Sequence, residues 1–436
     1  VLLALRVRNF RSIREAQELN LRRTKPVSPD FLGPGHETWD PLVTPVAAIY
    51  GANASGKTSL VEALKFVLHA IRKSQGWEPG AKIDRQPFLL DQWSRQETSE
   101  VELEFLMDGE RYQYGFGVNA DEFVTEWLYV YRSTKPTVLF ERGVNEDEYW
   151  TFGRSLKGQN MSIAKRTRPN ALFLSAAASD AHEFLTKVFA FFTTKIRVYN
   201  SSAYEGAHTE LPARMYEDDD FTRRLTEILK VSDTGIRGAH IEVNAQSPED
   251  RLEIRNRLIE GGMGERRAEE ILDRWQADTK FVLSFEHQAG DRVQTLPLEA
   301  ESTGTQALLS HAEAVLDALA DGGVCVFDEI DTSLHPLLVA ELIKLFQTPA
   351  TNPLQAQIIF TTHEASLLDP GGSAQGSLDR DQVWVTQKDE FGGTNLIAFS
   401  EFKPRPNENL RRGYMSGRFG GLPLIKSDSG YAEAVR

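Results

Sequence analysis

Residues 51–58 read Gly-Ala-Asn-Ala-Ser-Gly-Lys-Thr, and this octapeptide constrains the chain more than any other stretch. The spacing G-x-x-x-x-G-K-[ST] belongs to a loop whose backbone N–H groups wrap a phosphate. Side chains at Gly51 or Gly56 would block that close approach. The flanks fit the loop. Val46–Tyr50 is a short apolar run of the kind that forms a buried parallel strand. Ser59–Val67 carries apolar residues at helical spacing, and a helix N-terminus favours anions. In this context Gly51, Asn53, Ala54, Ser55, Gly56 and Ser59 are expected to line a nucleotide's phosphates. Lys57 is expected to reach the β- and γ-phosphates, and the Thr58 hydroxyl is expected to ligate Mg²⁺.

Three further motifs follow in the order such chemistry needs. Val324-Cys325-Val326-Phe327-Asp328-Glu329 is an apolar strand ending in two carboxylates. Successive residues of a strand point to opposite sides, so the two acids are assigned different work. Asp328 is the candidate for the Mg²⁺ shell, and Glu329 is the candidate general base for an attacking water. Ile358-Ile359-Phe360-Thr361-Thr362-His363 is a second strand with a polar end, where His363 could sense the γ-phosphate. The next residues do not form a zinc-protease motif, because position 367 is Leu rather than His. Glu301-Ser302-Thr303-Gly304-Thr305-Gln306 precedes a helical run, and a Ser and a Gly at a helix start make another anion site.

Around these motifs the text divides into an N-terminal lobe (1–210), a charged insertion (211–290), a C-terminal lobe (291–402) and a tail (403–436). Glu100–Tyr131 alternates with period two about an Asp108-Gly109 turn, which predicts a hairpin with further strands to about Phe152. Ala171–Ser175 reads as another short buried strand, and 183–194 as helix. Residues 215–277 read as charged helix punctuated by Arg251, Arg255, Arg257, Arg266, Arg267 and Arg274. That stretch is the expected surface for a partner or trigger. The tail mixes Arg411, Arg412, Tyr414, Arg418 and Phe419, a composition able to bind nucleic acid or to pack on the head.

Composition narrows the class. The formal charge of −14 weighs against a protein that coats DNA non-specifically. No run approaches 18 apolar residues, so no membrane span is expected. The apolar start Val1–Leu5 is quickly followed by Arg6 and does not read as a signal peptide. The single cysteine, Cys325, allows no internal disulfide and fits a reducing cytoplasm.

The four motifs in this order resemble the ABC-type ATPase heads, the class of RecF-like, SMC-like and OLD-like proteins. Ser302–Gln306 is similar to the signature motif, with Thr305 where a second glycine stands in transporters. Asp331-Thr332-Ser333-Leu334-His335 is similar to the D-loop, with Asp331 and Ser333 at its characteristic positions. Asn9-Phe10-Arg11-Ser12 resembles the opening of such heads, where Arg11 and Ser12 would lie near bound nucleotide. The segments Asp233–Ile236 and Gly413–Gly420 further resemble ATPases of the RloA or abortive-infection AbiLi type, and PARIS-type defence ATPases look similar. The resemblance implies an α/β head with a hairpin-rich N-terminal lobe and a helical insertion. It implies an ATPase using ATP and Mg²⁺. Ser302, Gly304 and Thr305 of one copy would complete the site of another, so a homodimer or higher homo-oligomer is expected. It also implies anti-phage defence with a protein effector, a nuclease, acting in trans. The competing expectation is a RecF-like DNA-maintenance ATPase. A transporter subunit fits poorly. The roughly 73 residues after His363 are too few for the nuclease domain that OLD-like proteins carry in cis.

Overall fold

The computed structural model describes residues 1–26, 40, 42–145, 148–200, 210–244, 255, 259, 265, 280–369, 378–402 and 409–423. The chain forms two compact units, Val1–Ser201 with Asp317–Arg436, and Ser202–Leu316.

The first unit holds two sheets. One is antiparallel and runs β2 (Gln17–Asn20), β1 (Leu2–Arg8), β4 (Ser99–Met107), β5 (Glu110–Val118), β6 (Phe123–Tyr131), β7 (Thr137–Arg142), β8 (Trp150–Phe152). The hairpin at Asp108-Gly109 forms as its turn residues require: both take positive φ, 52° and 77°. The alternating set Val101, Leu103, Phe105, Tyr112, Tyr114 and Phe116 turns to one buried face.

The other sheet has the order β16 (Thr394–Ala398), β15 (Val383–Lys388), β3 (Val46–Gly51), β14 (Gln357–Thr362), β13 (Val324–Asp328), β9 (Ile196–Asn200). All neighbours pair in parallel except the β15–β16 edge. Its central strands are buried throughout, which explains why their sequences are apolar runs rather than alternations. Between the sheets lies one hydrophobic core, built on helix α1 (Lys57–Lys73). Leu60, Val61, Leu64, Val67, Leu68 and Ile71 bury its inner face. Each such side chain stabilises the packing by roughly 1.5–3 kcal/mol. This mixed α/β architecture is the class expected for an ABC-type head.

One local expectation fails. Residues 173–179 form a helix, α2, not a strand. The reason is Glu126 on β6, fully buried, whose carboxylate accepts from the N–H groups of Phe173 and Leu174 at 2.6 and 3.0 Å and from the Tyr114 hydroxyl at 3.0 Å. An acid held at that point satisfies the first turn of a helix, which local periodicity does not reveal. Helix α3 (Glu183–Ala190) follows.

The second unit begins with helices α4 (Leu211–Glu217) and α5 (Asp219–Val231). Beside them is a three-stranded antiparallel sheet, β10 (Ile236–Asn244), β11 (Lys280–Ala289), β12 (Arg292–Pro297). The stretch read as charged helix over 215–277 therefore contains the strand β10, and β11 follows it within the insertion. Charged residues on exposed faces of β10 and β11 mask the alternation. Of the arginines singled out there, Arg255 pairs with Glu265 at 3.7 Å, and the other five lie outside the described residues. Helix α6 (Thr303–Asp321) begins in this unit, and helix α7 (Pro336–Gln347) belongs to the first.

Candidate nucleotide site

The register of the parallel sheet gathers the motif ends on one edge. Thr362 pairs with Tyr50 and Thr386 with Gly51, while Phe360 pairs with Phe327 one residue before Asp328. Strands lie about 4.8 Å apart, so β3 and β13 flank β14 at roughly 10 Å from each other. Open α/β sheets bind ligands outside the carboxyl ends of their strands. There a cavity of about 400 Å³ is lined by Arg11, Ser12, Asn53, Ala54, Ser55, Gly56, Lys57, Thr58, Ser59 and Glu329. The structure thus brings together the phosphate loop, the Arg-Ser pair from the turn after β1, and the second acid of β13.

The walls explain the glycines. A Cβ on Gly51 would stand 2.2 Å from Thr386 Oγ1 and 2.4 Å from Ser55 Oγ. One on Gly56, whose φ is 110°, would stand 2.1 Å from Thr394 Oγ1 and 2.7 Å from Ser12 Oγ. Thr386 and Thr394 come from β15 and β16. Ser55 Oγ lies 2.6 Å from Thr386 Oγ1, and Thr394 Oγ1 donates to Ser55 O at 2.9 Å. Ser12 Oγ lies 2.7 Å from Ser59 Oγ and accepts from Thr394 Oγ1 at 2.8 Å. Sequence reasoning missed both threonines, since nothing local joins positions 386 and 394 to position 51. Their only trace is one Thr in each of two short strands late in the chain.

Lys57 is buried and its ammonium donates to the carbonyls of Gly51 at 2.7 Å and Ala52 at 3.2 Å. Burial lowers its pKa, while Glu329, Asp328 and Asp331 oppose the shift. The charged amine is therefore poised over the cradle with carboxylates nearby.

Asp328 sits at the end of β13. Its Oδ1 accepts from Thr361 Oγ1 at 2.7 Å and from Thr58 Oγ1 at 3.3 Å. The same Thr361 hydroxyl accepts from Glu329 N at 2.6 Å. Glu329 has φ of 56°, so the two carboxylates diverge through a left-handed turn and not by strand alternation. Such conformations in a non-glycine residue carry strain of order 1–3 kcal/mol and cluster at functional sites. Thr361 is a third residue that the sequence did not single out. It holds the Asp328 carboxylate and the Glu329 backbone at once.

His363 is exposed, and its backbone N–H donates to Asp331 Oδ2 at 3.3 Å. Partial burial and the Lys57 charge lower its pKa, against Asp331, Glu329 and a hydrogen bond to the Gly51 backbone. The ring thus lies within electrostatic reach of the phosphate loop. Asp331 Oδ1 is buried without a hydrogen-bond partner among the described residues, and Ser333 is exposed at φ of 64°.

Within the second unit, Ser302 caps α6. Its Oγ accepts from Thr305 N at 3.1 Å and lies 2.9 Å from Thr305 Oγ1. Ser302 is exposed, Gly304 is half-buried and Thr305 is buried. Gln306 Nε2 anchors the preceding turn through the carbonyls of Leu298 and Glu301, both at 3.1 Å. The segment presents a serine hydroxyl and a glycine at an open helix start.

The tail packs inward. Tyr414 and Phe419 are buried, and Arg411 pairs with Asp369 at 3.0 Å. These two rings are not available to stack on bases.

The residues present fit Mg-nucleotide. The loop glycines have no room for a Cβ, the lysine is close, and a carboxylate lies beside a threonine hydroxyl. Mg²⁺ commonly takes one carboxylate with hydroxyl, water and phosphate oxygens. Among the described residues no cluster of three or more His, Cys, Asp or Glu forms an all-protein metal site. Among the same residues, no helix is long and apolar enough to cross a membrane.

A second cavity, about 510 Å³, opens along the outer face of α1. Phe10, Phe66, Trp77 and Ile83 give it an apolar floor. Glu62 lines it and also faces Arg11 of the phosphate cavity at 3.8 Å.

Comparison with known proteins places these observations. A family model described as "AAA domain, putative AbiEii toxin, Type IV TA system" matches residues 46–369. Among solved structures the chain is similar to the SMC head domain from Thermotoga maritima, at 13% identity over 91% of this chain and 98% of that one, with a TM-score of 0.40. It is similar to an SmcHead bound to the C-winged helix domain of ScpA, at 14% identity over 91% and 97%, with a TM-score of 0.41. It is also similar to the Smc head domain with an extended coiled coil bound to the C-terminal domain of ScpA, derived from Pyrococcus furiosus, at 13% identity over 96% and 98%, TM-score 0.40. No curated protein matches.

Proposed function

We propose, for a chain that belongs to the AAA-domain family described as a putative AbiEii toxin of type IV toxin–antitoxin systems, that it is a Mg²⁺-dependent ATPase working as a nucleotide-controlled clamp. The single observation that carries this reading is the shared cavity in which Asn53–Ser59 faces Glu329. Lys57 and the loop N–H groups hold the phosphates. Thr58 and Asp328 hold the metal, which neutralises charge on the phosphates when bound. Glu329 takes the proton of the attacking water, and His363 orients the γ-phosphate side of the site.

Each chain has one phosphate loop and one Ser302–Gln306 segment. We read the exposed Ser302 and half-buried Gly304 as completing the site of a second copy, with Asp331 and Ser333 at the junction. Exposed apolar side chains support a protein face: Leu89, Leu90 and Trp93, with Phe391 on the turn that leads to Thr394, where Leu90 abuts Gly392. Exposed patches of this kind mark association surfaces.

The family description, together with the likeness to the RloA and AbiLi type, supports a place in prokaryotic anti-phage defence. There the clamp would gate a protein effector in trans, a nuclease by this reading.

Release of phosphate from ATP tests the proposal. It should require Mg²⁺. Its kcat/KM should also fall on acidification, with a midpoint below the ordinary imidazole value of about 6.5, because the His363 pKa is lowered. The sign follows from the neutral ring being the working form: protonation sets in only below that value. His363→Gln should lower the rate and remove this limb of the profile. A chain that releases no phosphate above a Lys57→Met control sinks the proposal.

We assign the base to the second cavity, where Phe10, Phe66, Trp77 and Ile83 offer apolar and aromatic surface and Glu62 reaches toward Arg11 of the phosphate cavity. Trp77 is half-buried there and stacks on Phe123 at 6.1 Å. Trp77→Phe should therefore abolish most of the change in tryptophan emission on adding ATP. An unchanged response would place the base elsewhere.

A further inference from the structure

The family match ends at residue 369, yet residues 409–423 pack against the base of the nucleotide site. Three contacts define that packing. The Tyr414 ring meets Tyr50 edge-on at 5.4 Å, and Tyr50 is the residue before the first loop glycine. The Tyr414 hydroxyl donates to Gly421 O at 3.3 Å. A Cβ on Gly421, whose φ is 73°, would lie 2.5 Å from Val385 Cγ1 and 3.5 Å from Gly51 Cα. The tail therefore abuts the phosphate loop at its first glycine, whose carbonyl also holds the Lys57 ammonium.

The same segment reaches the strand end that carries His363. The Tyr50 hydroxyl donates to Glu364 O at 3.0 Å, so one ring ties the end of β3 to the residue after His363. Asn409 and Arg411 both bind Asp369 at 3.1 and 3.0 Å, which fixes the far end of that stretch. The segment is itself anchored. Phe419 is fully buried against Phe399 and Phe402, at 4.6 and 5.4 Å between centroids. Gly413 permits this, since its Cβ would stand 2.4 Å from the Phe419 ring.

We propose that residues 409–423 form a strap that positions Gly51 and the His363 segment for the γ-phosphate, with Tyr414 as the positioning residue. The inference rests on the ATPase reading above. Two elements that must close on the terminal phosphate, the loop with Lys57 and the strand end with His363, are held in register by one ring pair and one glycine turn. Diphosphate binding draws on the loop N–H groups and depends less on that register. The strap should therefore set the preference for ATP over ADP.

The test uses the full chain with Tyr414→Phe, which keeps the ring and removes the hydroxyl, and Gly421→Ala, which crowds Gly51. Affinities for Mg-ATP and Mg-ADP are measured by calorimetry, with melting temperature recorded without nucleotide. A lost hydrogen bond corresponds to about a fivefold change. The expected result is an ATP-over-ADP preference lowered by about fivefold in Tyr414→Phe, with ADP affinity and melting temperature close to those of the unaltered chain. Gly421→Ala should shift the preference the same way and further. Equal weakening of both nucleotides, or a change in melting temperature alone, would overturn the strap as a positioning element and leave it as packing. Failure of the unaltered chain to bind ATP would overturn the ATPase reading and this inference with it.

Discussion

Glu329→Gln should leave ATP bound and nearly stop its hydrolysis, lowering kcat by roughly 10²–10⁴-fold, the contribution expected of a positioned general base. The substitution keeps the shape of the side chain that lines the cavity and removes its ability to take a proton. It leaves untouched the backbone N–H that Glu329 gives to Thr361, so the turn at φ 56° should persist. Lys57→Met should behave differently. Lys57 is buried and bonds two carbonyls of its own loop. Losing its charge removes a desolvated ionic partner for phosphate, a loss of roughly 2–5 kcal/mol in binding, or about 30- to 5,000-fold in Kd. One variant is thus a chemistry mutant and the other a binding mutant. Single-turnover phosphate release and equilibrium nucleotide binding separate them. If ATP acts as a clamp, the Glu329→Gln chain with Mg-ATP should also double in mass by mass photometry, and the Lys57→Met chain should not. A Glu329→Gln chain that hydrolyses ATP within threefold of the parent would remove Glu329 from the chemistry.

The difference between what the sequence discloses and what it hides follows the range of the interactions. Gly51–Thr58 and Asp328-Glu329 were legible because their chemistry is local: a strand, then a turn, then a helix or an acid pair. The same holds for Pro336–Gln347, where apolar spacing and a leading Pro suit the helix that forms. Thr361, Thr386 and Thr394 were not legible. Each is a single hydroxyl whose role depends on strand order, and β15–β3–β14–β13 neighbours are far apart in the chain. The helix at Phe173 is hidden from local periodicity for the same reason, since the acid that caps it lies 47 residues earlier. In the second unit, β10 and β11 were hidden by polar faces, a case where composition says helix and pairing decides strand. Tyr414 stood out only as part of a basic and aromatic tail. Its partner Tyr50 sits inside a strand recognised for another reason, and nothing in either neighbourhood joins them.

Mixing two inactive variants gives the strongest test of a site shared between copies. Ser302→Arg should bind ATP normally, because the phosphate loop is intact, and should hydrolyse it at least 100-fold more slowly if the exposed hydroxyl serves a second copy's γ-phosphate, in keeping with the cost of removing a transition-state donor. Lys57→Met fails for the opposite reason. Suppose that each site takes its loop from one chain and its signature from another. A mixed dimer then contains one site with both defects and one with neither. The intact site pairs the loop of the Ser302→Arg chain with the signature of the Lys57→Met chain. Random assortment at equal concentrations would make about half the dimers mixed, each with one of two sites working, so mixing should restore at most about a quarter of the parental rate per chain, and less to the extent that the Lys57→Met chain pairs poorly. Self-contained sites could not be rescued, because each chain would keep its own lesion. A mixture no more active than its components would therefore assign Ser302 to capping α6, the role its bond from Thr305 N already serves, and would return the phosphate loop to the service of a single chain.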